Sequence, residues 1–263
     1  AGFNPGNIID DATMSNKNSM SESDIQNFLN DKFGGNYKGG SPNGYGVQAY
    51  PGYQYHVENG HFVPLAQEKF GNNGLPAAGG QSSAHVVWQA AQDYSINPQV
   101  LLVILQKEQG LISDNWPNYT QYASATGFGC PDTAACDPSY GGFIAQVRNA
   151  AAFFRKVLNG GWTNYPVGQN YIQYNPNAAC GGSVINVQNR ATSALYRYTP
   201  YQPNASAMAA GWGTGDSCGA YGNRNFYNYF TSWFGSTKVQ GAAGLMGNID
   251  SVSYDSNNKT INV

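Results

Sequence analysis

Charge is scarce in this chain. Lys and Arg number 13 and Asp and Glu 15 in 263 residues, so charged residues make up 11% of it and the net charge is −2. Charge-driven binding to nucleic acid relies on clustered basic side chains that release counterions, and so few basic residues exclude it. No apolar run reaches the ~18 residues that a membrane-spanning helix needs, so no transmembrane segment is expected. The four cysteines, Cys130, Cys136, Cys180 and Cys218, include no C-x-x-C pair, which argues against zinc ribbons and thioredoxin-like redox motifs. Disorder is excluded as well, because 41% of residues are hydrophobic and 14% aromatic and that content can bury a core. In place of charge the chain has 33 Gly and 19 Tyr, with Asn close behind Gly. Uncharged hydrogen-bonding and aromatic groups suit neutral polar ligands such as sugars, and the same composition is common in exported proteins.

An even cysteine count in such a chain points to two disulfides formed in an oxidising compartment. Of the possible connectivities, Cys130–Cys136 with Cys180–Cys218 is expected, because the first pair shares one short Pro/Asp-containing loop and the second flanks Gly-rich turns. The chain starts at Ala1 with no apolar leader, which fits a processed export product at the cell surface or beyond it. Trp233-Phe234-Gly235 closes an aromatic segment. One domain is therefore expected over residues 1–236, a small-residue linker over 237–246, and over 247–263 the start of a β module that continues past the last residue. The expected molecule is a monomer attached to further β modules, with no cofactor and no metal.

Periodicity predicts a mainly α (α+β) fold. Helices are expected over Ser21 to Lys32, with Ser21 and Asp24 as a capping box, and over Ser82 to Tyr94, Pro98 to Gln109, Gly142 to Leu158, Val187 to Tyr196 and Asn223 to Phe234. Tyr53 to Val63 alternates around Asn59-Gly60, a strong hairpin signal. The stretch from Gly160 to Ser183 is expected to be a long connection ordered by aromatic packing and a disulfide.

The segment Asn97-Pro98 to Gly110 carries an Asn cap, a first-turn Pro, six consecutive apolar residues and a Gly stop, so this helix should run through the core. Glu108 follows Ile104 by four positions and Leu101 by seven, on the face of buried side chains. Burial without a cation holds a carboxyl protonated, as a general acid near neutral pH requires. The competing reading pairs Glu108 with Lys107, Arg148 or Arg155, or swings it into solvent. The other three glutamates, Glu22, Glu58 and Glu68, have ordinary solvated readings. Near cleft loops stand Asp114, Asp132, Asp137 and Asp216. His56, Glu58 and His61 share one face of the expected hairpin and invite a metal, but solvent-facing polar residues are the commoner outcome there.

Ile96-Asn97-Pro98-Gln99-Val100-Leu101-Leu102 through Lys107-Glu108-Gln109-Gly110-Leu111 resembles the catalytic helix of the lysozyme-like superfamily, which includes soluble lytic transglycosylases and goose-type lysozymes. Gln109 stands where Ser is common in that superfamily. Ala125-Thr126-Gly127-Phe128-Gly129-Cys130 is similar to its Gly-Leu-Met-Gln loop with changed residues, and the helix from Asn149 to Arg155 to its third core helix. Asn4 to Ile9, Ala194 to Tyr201 and Tyr221 to Phe226 resemble secreted actinobacterial and clostridial surface proteins often labelled haemagglutinin-like. These superfamily motifs cover residues 82 to 200, and the closer pattern covers most of 2 to 236.

The resemblance implies a lysozyme-like helical domain acting on peptidoglycan glycan strands at the β-1,4 bond between N-acetylmuramic acid and N-acetylglucosamine. Glu108 would protonate the glycosidic oxygen. The oxocarbenium-like centre would then be met by activated water, by a stabilising or covalent carboxylate, or by the sugar's own 6-hydroxyl. Asp132 and Asp137 are the candidate second carboxylates, with an alternative role as turn formers beside Pro131 and Pro138. Tyr196, Tyr198 and Tyr201 lie where similar proteins place a tyrosine that orients the acid. Thr126 lies in the substrate-side loop, and Trp116, Tyr122, Phe128 and Tyr140 are candidates for a sugar-binding groove. The rival is a non-catalytic adhesin or glycan-binding module that keeps the same shape.

Overall fold

The computed structural model describes residues 2–33 and 62–239, apart from 73, 75, 78 and 133, together with short strands at 253–255 and 260–262. Asp10 starts the first helix, α1 (Asp11–Met14), by accepting the Thr13 amide at 2.6 Å. In α2 (Glu22–Lys32) the capping box forms as expected: Ser21 accepts the Asp24 amide at 3.0 Å and Asp24 accepts the Ser21 amide at 2.9 Å. The two-residue strands β1 (Lys69–Phe70) and β2 (Gln81–Ser82) pair antiparallel and lead into α3 (Ser83–Tyr94). Ser95 closes α3 in the left-handed region at φ 51°.

Next comes α4 (Pro98–Gln109), whose cap Asn97 accepts the Gln99 amide at 2.8 Å. Its residues Val100 to Leu105 are fully buried, and each contributes about 1.5–3 kcal/mol by leaving water. The short α5 (Tyr119–Ala123) precedes α6 (Phe143–Leu158), which buries Phe143, Val147, Ala150, Ala151, Phe154 and Leu158 at helical spacing. α3 packs on α2 and α6, and α4 packs on the last long helix described below.

Two expectations need correction here. Residues 160–183 are not an unpaired connection: β3 (Gly168–Gln173) and β4 (Gly182–Val187) form an antiparallel hairpin with Tyr171 opposite Val184. Only Ile172 and Val187 are buried in it, so its alternation shows no apolar face in the sequence. Because Val187 ends β4 and Asn189 caps by accepting the Thr192 amide at 2.8 Å, α7 spans Arg190–Tyr198 rather than starting at Val187. After α8 (Ala205–Ala209), α9 (Gly222–Phe234) closes the helical body against α4. Cys130 bonds Cys136, and Cys180 bonds Cys218, tying the β3–β4 hairpin to the loop before α9.

The start of the expected linker is fastened down. Thr237 is buried, its carbonyl accepts the Asp10 amide at 3.1 Å, and Val239 donates to Asp10 Oδ2 at 2.7 Å. Beyond it, β5 (Ser253–Asp255) and β6 (Thr260–Asn262) pair antiparallel within the expected β segment. The hairpin expected at Tyr53 to Val63, with His56, Glu58 and His61, lies outside the described residues apart from buried Phe62 and Val63. The fold is mainly α with small antiparallel hairpins, and no described helix is long and apolar enough to cross a membrane.

Candidate functional site

α4 delivers Glu108 to the edge of the core. Gly110 takes φ 65° and its amide bonds the Gln106 carbonyl at 2.9 Å, which stops the helix one turn after the buried run. The Glu108 side chain keeps 27% of its exposure, whereas the neighbouring Lys107 keeps 6%. Lys107 Nζ donates to Glu108 Oε1 at 2.5 Å and to Thr199 Oγ1 at 2.9 Å, and lies 5.7 Å from the Tyr198 ring centroid. The expectation of a carboxyl buried without a cation is thereby corrected: the end of α4 meets α7, and the groove between them holds the Lys107 ammonium against Glu108. Arg148 and Arg155, the other partners considered, bond Asp93 and the Tyr94 carbonyl, each at 2.8 Å.

Glu108 faces a cavity of about 450 Å³ that Lys107, Asp132, Tyr198, Tyr201, Tyr221 and Asn225 help to line. Gly127 stands behind the carboxylate at φ 69°, where a Cβ would sit 3.0 Å from Glu108 Oε2. Backbone conformation and space both call for glycine there. A second depression of about 460 Å³ shares Gly127, Cys130 and Tyr198 with the first and adds Phe128, Asp137, Tyr140, Phe153 and Arg197. The two therefore adjoin along the loop at 127–130, braced by the Cys130–Cys136 disulfide.

Gln146 of α6 holds this loop. It is 1% exposed, its Oε1 accepts the Thr126 and Phe128 amides at 3.2 and 3.1 Å, and its Nε2 donates to the Phe128 and Tyr140 carbonyls at 2.9 and 2.6 Å. Thr126 is fully buried and donates to the Gln146 carbonyl at 2.9 Å, so it supports the loop and does not face a ligand.

Residues 7–244 match the family described as LasA, N-terminal domain. The chain belongs to that family. No curated protein matches it, and no solved structure does. The match spans both depressions, from α4 through the disulfide loop to α9.

Within this LasA N-terminal domain the candidate tyrosines separate. Tyr198 stacks on Phe154 at 5.3 Å and its hydroxyl donates to the Thr126 carbonyl; burial, and then the charge of Glu108, push that hydroxyl's pKa up. Tyr201 lines the Glu108 cavity, and burial followed by the nearby Asp132 charge raises its pKa. Tyr196 instead lies in the core, with its hydroxyl on the Pro5 carbonyl at 2.7 Å. Tyr122 is also a core residue, 1% exposed and bonded to the Val63 carbonyl at 2.6 Å, because the aromatic cluster of Phe62, Phe70 and Phe143 encloses it. Trp116 is not among the residues that line either depression, whereas Phe128 and Tyr140 form an edge-to-face pair at 5.0 Å in the second.

The carboxylates separate as well. Asp132 shares the Glu108 cavity. Asp137 lies in the second depression and works as a turn former: Ser139 Oγ and amide donate to its Oδ1 at 2.7 and 2.9 Å and hold its pKa below the usual value. Asp114 and Asp216 accept from loop donors, the Trp116 amide at 2.8 Å and the Cys218 amide at 3.1 Å.

Glu22 pairs with His85 at 3.0 Å, but the solvated reading of Glu68 is overturned. Glu68 is 1% exposed, its Oε1 accepts the Lys69 amide at 3.0 Å, and its Oε2 has no hydrogen-bond partner among the described residues. Burial pushes its carboxyl up to about 8. The polar Gln-Glu-Lys context concealed this, because the residue follows a 3-10 turn (Leu65–Gln67) that packs against α2 and α3. Gln146, Thr199 and Arg197 were not legible as site residues; the one available signal was a glutamine on the buried face of α6.

Proposed function

We propose that this LasA N-terminal domain is a secreted glycosidase on a lysozyme-like scaffold that cleaves the β-1,4 bond between N-acetylmuramic acid and N-acetylglucosamine in peptidoglycan strands, with Glu108 as the general acid. The carrying observation is a glutamate at the end of a buried helix, opening into a cavity it shares with Asp132, Tyr198 and Tyr201. The two disulfides support an oxidising, extracellular location.

In the resting site Glu108 is ion-paired, and an acid needs a proton. Lys107 can supply it. When a sugar covers the cavity and water leaves, two facing charges lose hydration. Moving a proton from Lys107 Nζ to Glu108 then yields a neutral amine, still bonded to Thr199, and a protonated carboxyl. That carboxyl protonates the glycosidic oxygen as the bond to the anomeric carbon breaks and positive charge develops on the sugar. The freed Glu108 carboxylate can next take a proton from water or from the sugar's 6-hydroxyl as either attacks the anomeric carbon. Asp132 is the second carboxylate that lines the cavity, and in this reading it stabilises the cationic centre. Asp137, occupied by Ser139, is a weaker candidate for that role.

The Lys107 contact also favours a second reading, a non-catalytic glycan-binding module in which the pair is structural. Incubating purified peptidoglycan of several wall chemistries with wild type and Glu108→Gln separates the two. Wild type should release muropeptides, and the variant should lose about 10²–10⁴-fold in rate. A 1,6-anhydro end would mean transglycosylation and a reducing end hydrolysis. No release by wild type, or full activity in the variant, overturns the glycosidase reading.

A further inference from the structure

Proton transfer at Glu108 does not use the second depression, yet its lining carries one cation and one carboxylate that form no ion pair among the described residues. Arg197 lies against the rings of Phe153 and Trp162, with its guanidinium carbon 4.7 and 5.0 Å from their centroids, and Nη1 donates to the Trp162 carbonyl at 2.7 Å. The remaining guanidinium N–H groups have no hydrogen-bond partner and the residue makes no ion pair among the described residues. Asp137, exposed, lines the same depression, uses Oδ1 for Ser139 and makes no ion pair among the described residues. Phe128 and Tyr140 add aromatic surface to it.

Asp137 is exposed and Arg197 half-buried, so a ligand that displaces their water has to return an acceptor to Arg197 and a donor to Asp137. A ligand bearing both signs would satisfy both. We propose that this depression binds a zwitterionic peptide segment, with a carboxylate on Arg197 and an ammonium on Asp137, carried by the strand whose sugars occupy the adjoining Glu108 cavity. The inference rests on the glycosidase reading for the strand, while the charge pattern belongs to the depression itself. Arg197 and Asp137 would therefore determine preference for strands that carry peptides with free amines and carboxylates.

Two measurements test this. In the first, kcat/KM is compared on peptide-bearing strands and on strands stripped of peptide by an amidase. Wild type should prefer the former by about tenfold, from two solvent-accessible charge contacts worth about threefold each. Arg197→Gln and Asp137→Asn should each lower the ratio to about threefold. The Asn variant keeps an oxygen that can accept the Ser139 amide, so the turn persists. In the second, Glu108→Gln protein is titrated with an N-acylated stem tetrapeptide whose diamino acid amine is free, and with its amine-acetylated and carboxyl-amidated forms. Each block should weaken binding about threefold. Unchanged ratios in both variants, or equal binding of the blocked peptides, overturn the proposal. Charge-dependent peptide binding by a protein that cleaves no strand would support the peptide subsite and sink the glycosidase reading instead.

Discussion

Glu68 makes the stability of this domain depend on pH in a direction opposite to that of most carboxylates. Its carboxyl is buried, one oxygen has no partner among the described residues, and its pKa rises from 4.5 to about 8. Below pH 4.5 it is protonated in both folded and unfolded chains and takes nothing from stability. Above that, the unfolded chain releases the proton while the folded chain retains it, so stability falls as pH rises and levels off beyond about 8. At about 1.4 kcal/mol per unit the loss is roughly 3 kcal/mol by pH 7 and roughly 5 kcal/mol above pH 8. Glu68→Gln keeps the shape, removes the ionisation and should remove this slope. For a domain of this size roughly 3 kcal/mol corresponds to about 6–12 °C in Tm. Thermal unfolding of wild type and variant from pH 5 to 8 measures it. All other titratable groups are common to both proteins, so the difference between the two curves isolates Glu68. Asp24, Asp93 and Asp137 have lowered pKa values, so their contributions are lost only at more acidic pH. Curves that run parallel across pH 5 to 8 would refute a buried, protonated Glu68.

Two further substitutions probe how the site is held. Gly127→Ala puts a side chain into the left-handed region and a methyl 3.0 Å from Glu108 Oε2; the backbone strain alone costs about 1–2 kcal/mol, and the carboxylate must shift. Denaturant unfolding should show that loss and a strand-cleavage assay a larger fall in kcat than in KM; unchanged kcat would mean that Gly127 does not set the carboxylate's position. Asn97→Ala removes the α4 cap together with the bonds to Ser19 Oγ and the Thr13 carbonyl, at 2.6 and 2.9 Å. It should cost roughly 2–3 kcal/mol, read as a lower denaturant midpoint, and a loss below about 0.5 kcal/mol would contradict the cap's role.

Much of the helical framework was legible because its signals are local. Asn97, Pro98 and Gly110 bracket α4 within one stretch of chain, and Ser21 with Asp24 marks the start of α2. The β3–β4 hairpin was not, since only Ile172 and Val187 are buried in it and each strand begins with a glycine. Burial misled in both directions. Glu68 sits in a polar tripeptide yet is enclosed, and Tyr122, Thr126 and Tyr196 look like groove residues yet close the core. Each outcome depends on what lies across the fold from the residue, which nearest neighbours in sequence do not encode.

By itself the sequence determined a neutral, Gly/Asn/Tyr-rich domain, the caps and apolar stripes of its main helices, a disulfide-permissive compartment and one glutamate at the end of an apolar helix. Tertiary packing alone decided that Lys107 lies on Glu108 and is braced by Thr199, and that Gln146 supports the 126–128 loop. It also put Arg197 and Asp137 in one depression beside the Glu108 cavity, with no ion pair to either among the described residues. The physical reason is range: capping and periodicity act over a few residues along the chain, whereas charge pairing and burial act over a few ångströms between segments that only folding brings together.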